Sequence, residues 1–218
     1  MAKDQIARMI NRRIALLAGL STLGLAAMNR GAGAQTSPQD AADLARIEAY
    51  LNGIRTLKAR FVQVAPNGGI SEGTALMQRP GRMRFQYDPP SPLLLVANHG
   101  ILVFHDAQLN QTSNIPLGRT PLGILLADHA TLSGDVTVTR FVRLPGQLQV
   151  TLVRTANPGE GTLTLNFADN PLVLRQWIVV DQQGKQTRVT FTNMEVGAAV
   201  DAKLFEFRDV PSGQTGGG

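Results

Sequence analysis

The stretch Arg82-Met83-Arg84-Phe85-Gln86-Tyr87, closed by Asp88-Pro89-Pro90-Ser91-Pro92, decides the fold. Arg82, Arg84 and Gln86 alternate with Met83, Phe85 and Tyr87. Successive side chains of a strand point to opposite faces, so this segment is polar on one side and greasy on the other. The prolines stop it, because proline has no N–H to give to a ladder.

Working outward, eleven short segments of strand character lie between about residues 59 and 194, separated by turn signals. Downstream come 93–97, 101–106 and 111–115, with Asn98-His99-Gly100 as a turn. Longer segments follow at 135–143, 147–154, 161–167, 172–181 and 185–194. Their connections, Pro145-Gly146, Asn157-Pro158-Gly159 and Gln182-Gln183-Gly184, are hairpin-like. Consecutive hairpins predict an antiparallel meander, either a barrel or a strongly curved sheet.

Two stretches break the pattern. Ser37-Pro38-Gln39-Asp40 reads as a helix start, with a serine cap, a first-turn proline and an early acid. Leu44, Ile47, Leu51, Ile54 and Leu57 follow at spacings of three and four, predicting an amphipathic helix over about 38–58. Thr120-Pro121 again pairs a cap with a first-turn proline, before Leu122, Ile124, Leu125, Leu126 and Ala127. A helix greasy on nearly all sides has to be covered, either by the core or by a ligand.

The 218-residue chain has a formal charge of +5, but residues 1–34 hold five basic side chains against one acidic. The remainder carries 16 basic and 15 acidic residues, so it has no net electrostatic footprint for a phosphate backbone. Arg82 and Arg84 also point away from Phe85 and Tyr87, which leaves no mixed basic–aromatic stacking surface. No nucleic-acid partner is expected. Arg12-Arg13, the uncharged run 14–28 and Ala32-Gly33-Ala34 have the three-part form of a cleavable export signal, predicted over 1–34. The 15-residue run falls short of a bilayer span. One domain over 35–211 and a disordered glycine-rich tail over 212–218 complete the expected organisation.

Chemistry is sparse. There is no cysteine, and His99, His105 and His129 lack metal-ligand spacing, so no metal site and no cofactor are expected. No G-x-S-x-G, P-loop or G-x-G-x-x-G is present. A hydrolase using a histidine and a serine is the reading least supported, and the chain is expected not to be an enzyme.

Ala59-Arg60-Phe61-Val62-Gln63, Gly73-Thr74-Ala75-Leu76-Met77-Gln78-Arg79-Pro80-Gly81, the Met83 to Pro90 segment, Thr120-Pro121-Leu122-Gly123-Ile124-Leu125-Leu126 and Val200-Asp201-Ala202-Lys203-Leu204-Phe205-Glu206-Phe207 follow one another in that order. Together they resemble the periplasmic outer-membrane lipoprotein carriers, the LolA family. The resemblance implies a mainly β fold with α: an unclosed antiparallel half-barrel of eleven strands, with an N-terminal helix and short lid helices over an apolar cavity. It implies a soluble periplasmic carrier, a monomer, that takes triacylated lipoproteins from an inner-membrane ABC transporter complex. The cargo would pass to an outer-membrane receptor lipoprotein. A related binding module for another amphiphile, a glycolipid or sterol-like lipid, is the alternative.

On the resemblance, Met83, Phe85, Tyr87, Leu93, Leu95 and Ile101 are the expected cavity wall, and Leu122, Ile124, Leu125 and Leu126 the lid. Arg79 corresponds to the family arginine that hydrogen-bonds lid backbone carbonyls in the closed form. Two departures stand out: Gly123 is expected to leave a gap in the lid, and Met83 replaces an aromatic residue.

Overall fold

The computed structural model describes residues 37–207, so the expected leader and tail lie outside the described residues. The chain begins with helix α1 (Pro38–Gly53), followed by β1 (Thr56–Val64), β2 (Ile70–Gln78), β3 (Arg82–Tyr87), β4 (Leu93–Asn98), β5 (Ile101–Asp106) and β6 (Gln111–Pro116). A short helix α2 (Leu122–Leu125) separates these from β7 (Val136–Leu144), β8 (Gln147–Arg154), β9 (Gly161–Ala168), β10 (Val173–Asp181) and β11 (Gln186–Val196). The eleven strands form one antiparallel sheet in the order β6-β5-β4-β3-β2-β1-β11-β10-β9-β8-β7. β6 and β7 are its two edges, so the sheet is not closed.

The sheet curls strongly. β3 and β10 stand four strand spacings apart, about 19 Å on a flat sheet. Yet the rings of Phe85 and Trp177 are 5.6 Å apart between centroids. Inward positions of β1, β3, β10 and β11 therefore meet across the hollow, where Phe61, Phe85, Tyr87, Trp177 and Phe191 form one aromatic cluster. Gly73 makes part of this possible. It pairs with both Phe61 and Tyr87, and a Cβ there would lie 2.7 Å from the Phe61 ring. The absent side chain lets the two rings meet at 5.1 Å.

Helix α1 caps one end of the curl. Ser37 accepts a hydrogen bond from the Asp40 amide at 3.0 Å, as the sequence predicts, and Ile47 and Leu51 are buried. The helix is shorter than expected. Gly53 weakens the last turn and Ile54 is already extended (φ −88°, ψ 95°), so Leu57 leaves the helical stripe and begins the strand face of β1. Buried Asp43 pins the helix through ion pairs with Arg46 and, across to β7, with Arg143. Arg46 continues the network to Asp169 at 2.8 Å. Among the described residues no helix is long and apolar enough to cross a membrane.

Candidate functional site

The segment between the two edge strands folds back into the hollow. Thr120 does not cap α2 as the sequence suggests; its hydroxyl donates to the Leu117 carbonyl at 2.9 Å, and Pro121 takes the cap position. Leu122, Ile124, Leu125 and Leu126 are all buried, packed into the same apolar cluster as the inward face of the sheet. The expected lid residues thus lie against the expected wall.

Beneath Leu122 remains a cavity of about 190 Å³, bordered by Phe85, Tyr87, Leu95, Phe104, Trp177 and Val189 among others. Its few polar groups include the Tyr87 hydroxyl, which donates to Gln63 at 2.8 Å. Burial pushes the Tyr87 pKa up to about 12, against the smaller opposing effect of the Gln63 hydrogen bond. The space suits a fragment the size of an aromatic ring, since about 150 Å³ accepts benzene. An acyl chain needs α2 to move.

Of the predicted wall residues, Phe85, Tyr87 and Leu95 border this cavity, while Met83 and Leu93 pack into the same apolar cluster without bordering it. Ile101 is a correction. It pairs with Asn98, whereas its neighbours Leu102 and Phe104 pair with inward Ala97 and Leu95. Strand alternation therefore turns Ile101 to the convex face, where it borders a groove with Phe205 and Phe207. Phe104, Trp177, Val179 and Val189 were missed. The alternation Leu102, Phe104 in β5 carries the signal for the first; the others need the curl of the sheet.

Arg79, in the turn between β2 and β3, is only 6% exposed. Its Nε donates to the Ala127 carbonyl at 2.8 Å and its Nη2 to the Asp128 carbonyl at 3.2 Å, both just after α2. Nη1 donates to the Leu51 carbonyl near the end of α1. Burial first, then the neighbouring Arg55 cation, lowers the Arg79 pKa from the usual arginine value. The group nonetheless keeps its charge at any ordinary pH. Around it the Gly81 amide donates to Leu126 at 2.8 Å, and Asn52 makes paired hydrogen bonds with the backbone of Ala130. One rim of the hollow thus grips residues 126–130 through their backbone.

Gly123 leaves no gap in α2. A Cβ there would lie 2.4 Å from Arg154 Nη2 and 2.6 Å from the Leu117 carbonyl oxygen, so the missing side chain is filled by close neighbours. The histidines do not converge. His99 occupies a turn with positive φ, His105 contacts Thr112 at 2.9 Å, and exposed His129 stands 3.7 Å from Asp128. No group of three His, Asp or Glu side chains placed to hold a metal ion occurs among the described residues.

The sequence model of a family described as outer membrane lipoprotein carrier protein LolA matches residues 52–208. The outer-membrane lipoprotein carrier protein of Methylococcus capsulatus is 30% identical over 183 residues, covering 80% of this chain and 85% of its own. That of Pseudomonas aeruginosa is 29% identical over 211 residues, covering 89% and 96%. Among solved structures, a LolA-superfamily protein of Nitrosomonas europaea overlays with a TM-score of 0.42 at 10% identity, covering 75% of this chain and 97% of that one.

Proposed function

The chain belongs to the outer membrane lipoprotein carrier protein LolA family, and from that premise we propose how it carries its cargo. The chain shields the acyl chains of a lipoprotein in the periplasm, between an inner-membrane ABC transporter complex and an outer-membrane receptor lipoprotein. It acts as a monomeric carrier rather than an enzyme, after its leader at 1–34 has been removed.

The observation that carries this reading is the apolar helix α2, seated in a concave apolar face and fastened by its following backbone to Arg79. Water opposes transfer of bare hydrocarbon strongly: each exposed methylene costs about 0.8 kcal/mol, and a long acyl chain on the order of 10 kcal/mol. Leu122, Ile124, Leu125 and Leu126 occupy the hollow in the empty state, in place of the cargo. Lifting them exchanges one set of apolar contacts for another, so loading and release need little net free energy. Arg79 sets the balance. A hydrogen bond to a charged group contributes roughly 1.5–3 kcal/mol, enough to favour closure while leaving it reversible. On this reading Met83, Phe85, Tyr87, Leu93 and Leu95 form wall for the bound chains, joined by Phe104 and Trp177.

Depleting the chain in its host and following lipoprotein localisation tests the reading. Retention of lipoproteins at the inner membrane is the expected result; normal outer-membrane sorting would remove it. Mass spectrometry of molecules that co-purify separates acylated protein from another amphiphile.

A further inference from the structure

The inward row of β8 runs Leu148, Val150, Leu152, each at most 1% exposed, and then Arg154. An apolar row therefore ends in a cation, at the rim opposite the one that holds Arg79. Glu160, at the end of the 3-10 turn Pro158–Glu160, faces it, with Arg154 Nε and Glu160 Oε2 3.9 Å apart. That is too long for a hydrogen bond. Both atoms are sealed from solvent, and neither has a hydrogen-bond partner. The roof over Arg154 is Gly123 of α2, which has no side chain to hold it off. A buried donor and acceptor left unmatched cost free energy, and hydrocarbon shielding alone requires neither.

We propose that Arg154 and Glu160 form a polar subsite for the ester or amide linkages that join acyl chains to a headgroup, bared when α2 lifts. The proposal rests on the carrier reading above. Arg154 Nε–H donates to the linkage carbonyl, and Glu160 Oε2 accepts an amide N–H where the linkage carries one. Register supports the placement. Leu152 pairs with Leu163, Leu163 with Val179, and Val179 with Thr187, and the last two border the cavity. Arg154 stands one inward step beyond that row, toward the rim. A hydrocarbon chain seated in the hollow thus leaves its linkage at the level of Arg154.

The test uses the full chain and two synthetic lipopeptides with equal chain lengths, one ester-linked and one ether-linked, because an ether oxygen is a poor acceptor. Wild type is expected to bind the ester probe about tenfold more tightly, one lost hydrogen bond to a charged group. Arg154→Leu should abolish that preference, and Arg154→Lys should retain part of it. Equal affinities in the wild type overturn the subsite without need of any variant. So does an Arg154→Leu change that moves both probes alike, which assigns Arg154 to lid closure. Wild type that binds neither probe overturns the carrier reading itself.

Discussion

Arg79 Nε and the Ala127 carbonyl oxygen are 2.8 Å apart, and the same guanidinium also reaches the Leu51 carbonyl near the end of α1. One side chain therefore joins the capping helix to the backbone that follows α2. Arg79→Leu is expected to raise hydrogen exchange across 121–128 by about tenfold or more. It should also slow delivery from a reconstituted donor to a receptor. Unchanged exchange together with unchanged transfer would remove the latch.

Gly123→Ala acts as a wedge. The new methyl meets Arg154 Nη2 and the Leu117 carbonyl, and the second of these is backbone that cannot swing aside. The variant should favour the lifted form and bind more of a fluorescent apolar dye than wild type does, with the sheet intact by circular dichroism. Dye binding equal to wild type would mean that α2 accommodates the methyl in place.

Acid should loosen the capping helix. The hydrogen bond from Arg143 holds the Asp43 carboxyl below its ordinary value of 3.8, against the cost of burial. A carboxylate with a depressed pKa stabilises the fold above its unfolded value, and that contribution is lost as pH falls through the folded one. Stability should thus drop as pH falls below about 4. Asp43→Asn should cost about 2 kcal/mol near neutrality and flatten part of the acid response. Half-buried Asp88, lowered by its hydrogen bond from Arg60, keeps a share of it. Urea unfolding at several pH values measures both effects.

The alkaline side has its own reporter. Tyr87 is raised from 10.0 to about 12 by burial. A raised pKa stabilises the fold fully below the unfolded value, and the contribution fades between pH 10 and 12. Ultraviolet titration should show one late-ionising tyrosine that shifts back toward 10 when Arg79→Leu opens the lid. Late ionisation that persists in that variant would separate Tyr87 from lid position.

Phe85 touches Phe61, Trp177 and Phe191. Phe85→Ala should destabilise by about 3–5 kcal/mol and enlarge the cavity, letting the closed form take up small apolar probes such as xenon. A loss below about 1 kcal/mol, seen in chemical denaturation, would mean that the hollow collapses around the deletion.

Local patterns made much of this visible in the sequence. The alternation in 82–87 fixed which residues of β3 face inward, and the apolar run after Pro121 marked the short buried helix α2, because both are read within a few residues. Ile101 was misplaced for the opposite reason: its side depends on register across the Asn98-His99-Gly100 turn, where a shift of one residue exchanges the faces. Leu57 kept the helical spacing although Gly53 had already ended the helix. Trp177 and Val179 reach the cavity only because the sheet curls, a long-range effect that no window of sequence contains. The close approach of α2 to Arg154 likewise depends on Gly123, about thirty residues away in the chain.

The free edge at β6 has a consequence beyond the hollow. A free strand edge invites another chain to add to the ladder. β6 spells Gln111-Thr112-Ser113-Asn114-Ile115-Pro116, every residue exposed, ending in a residue with no amide hydrogen. That margin is wet, short and capped, which disfavours the addition of a further strand at β6.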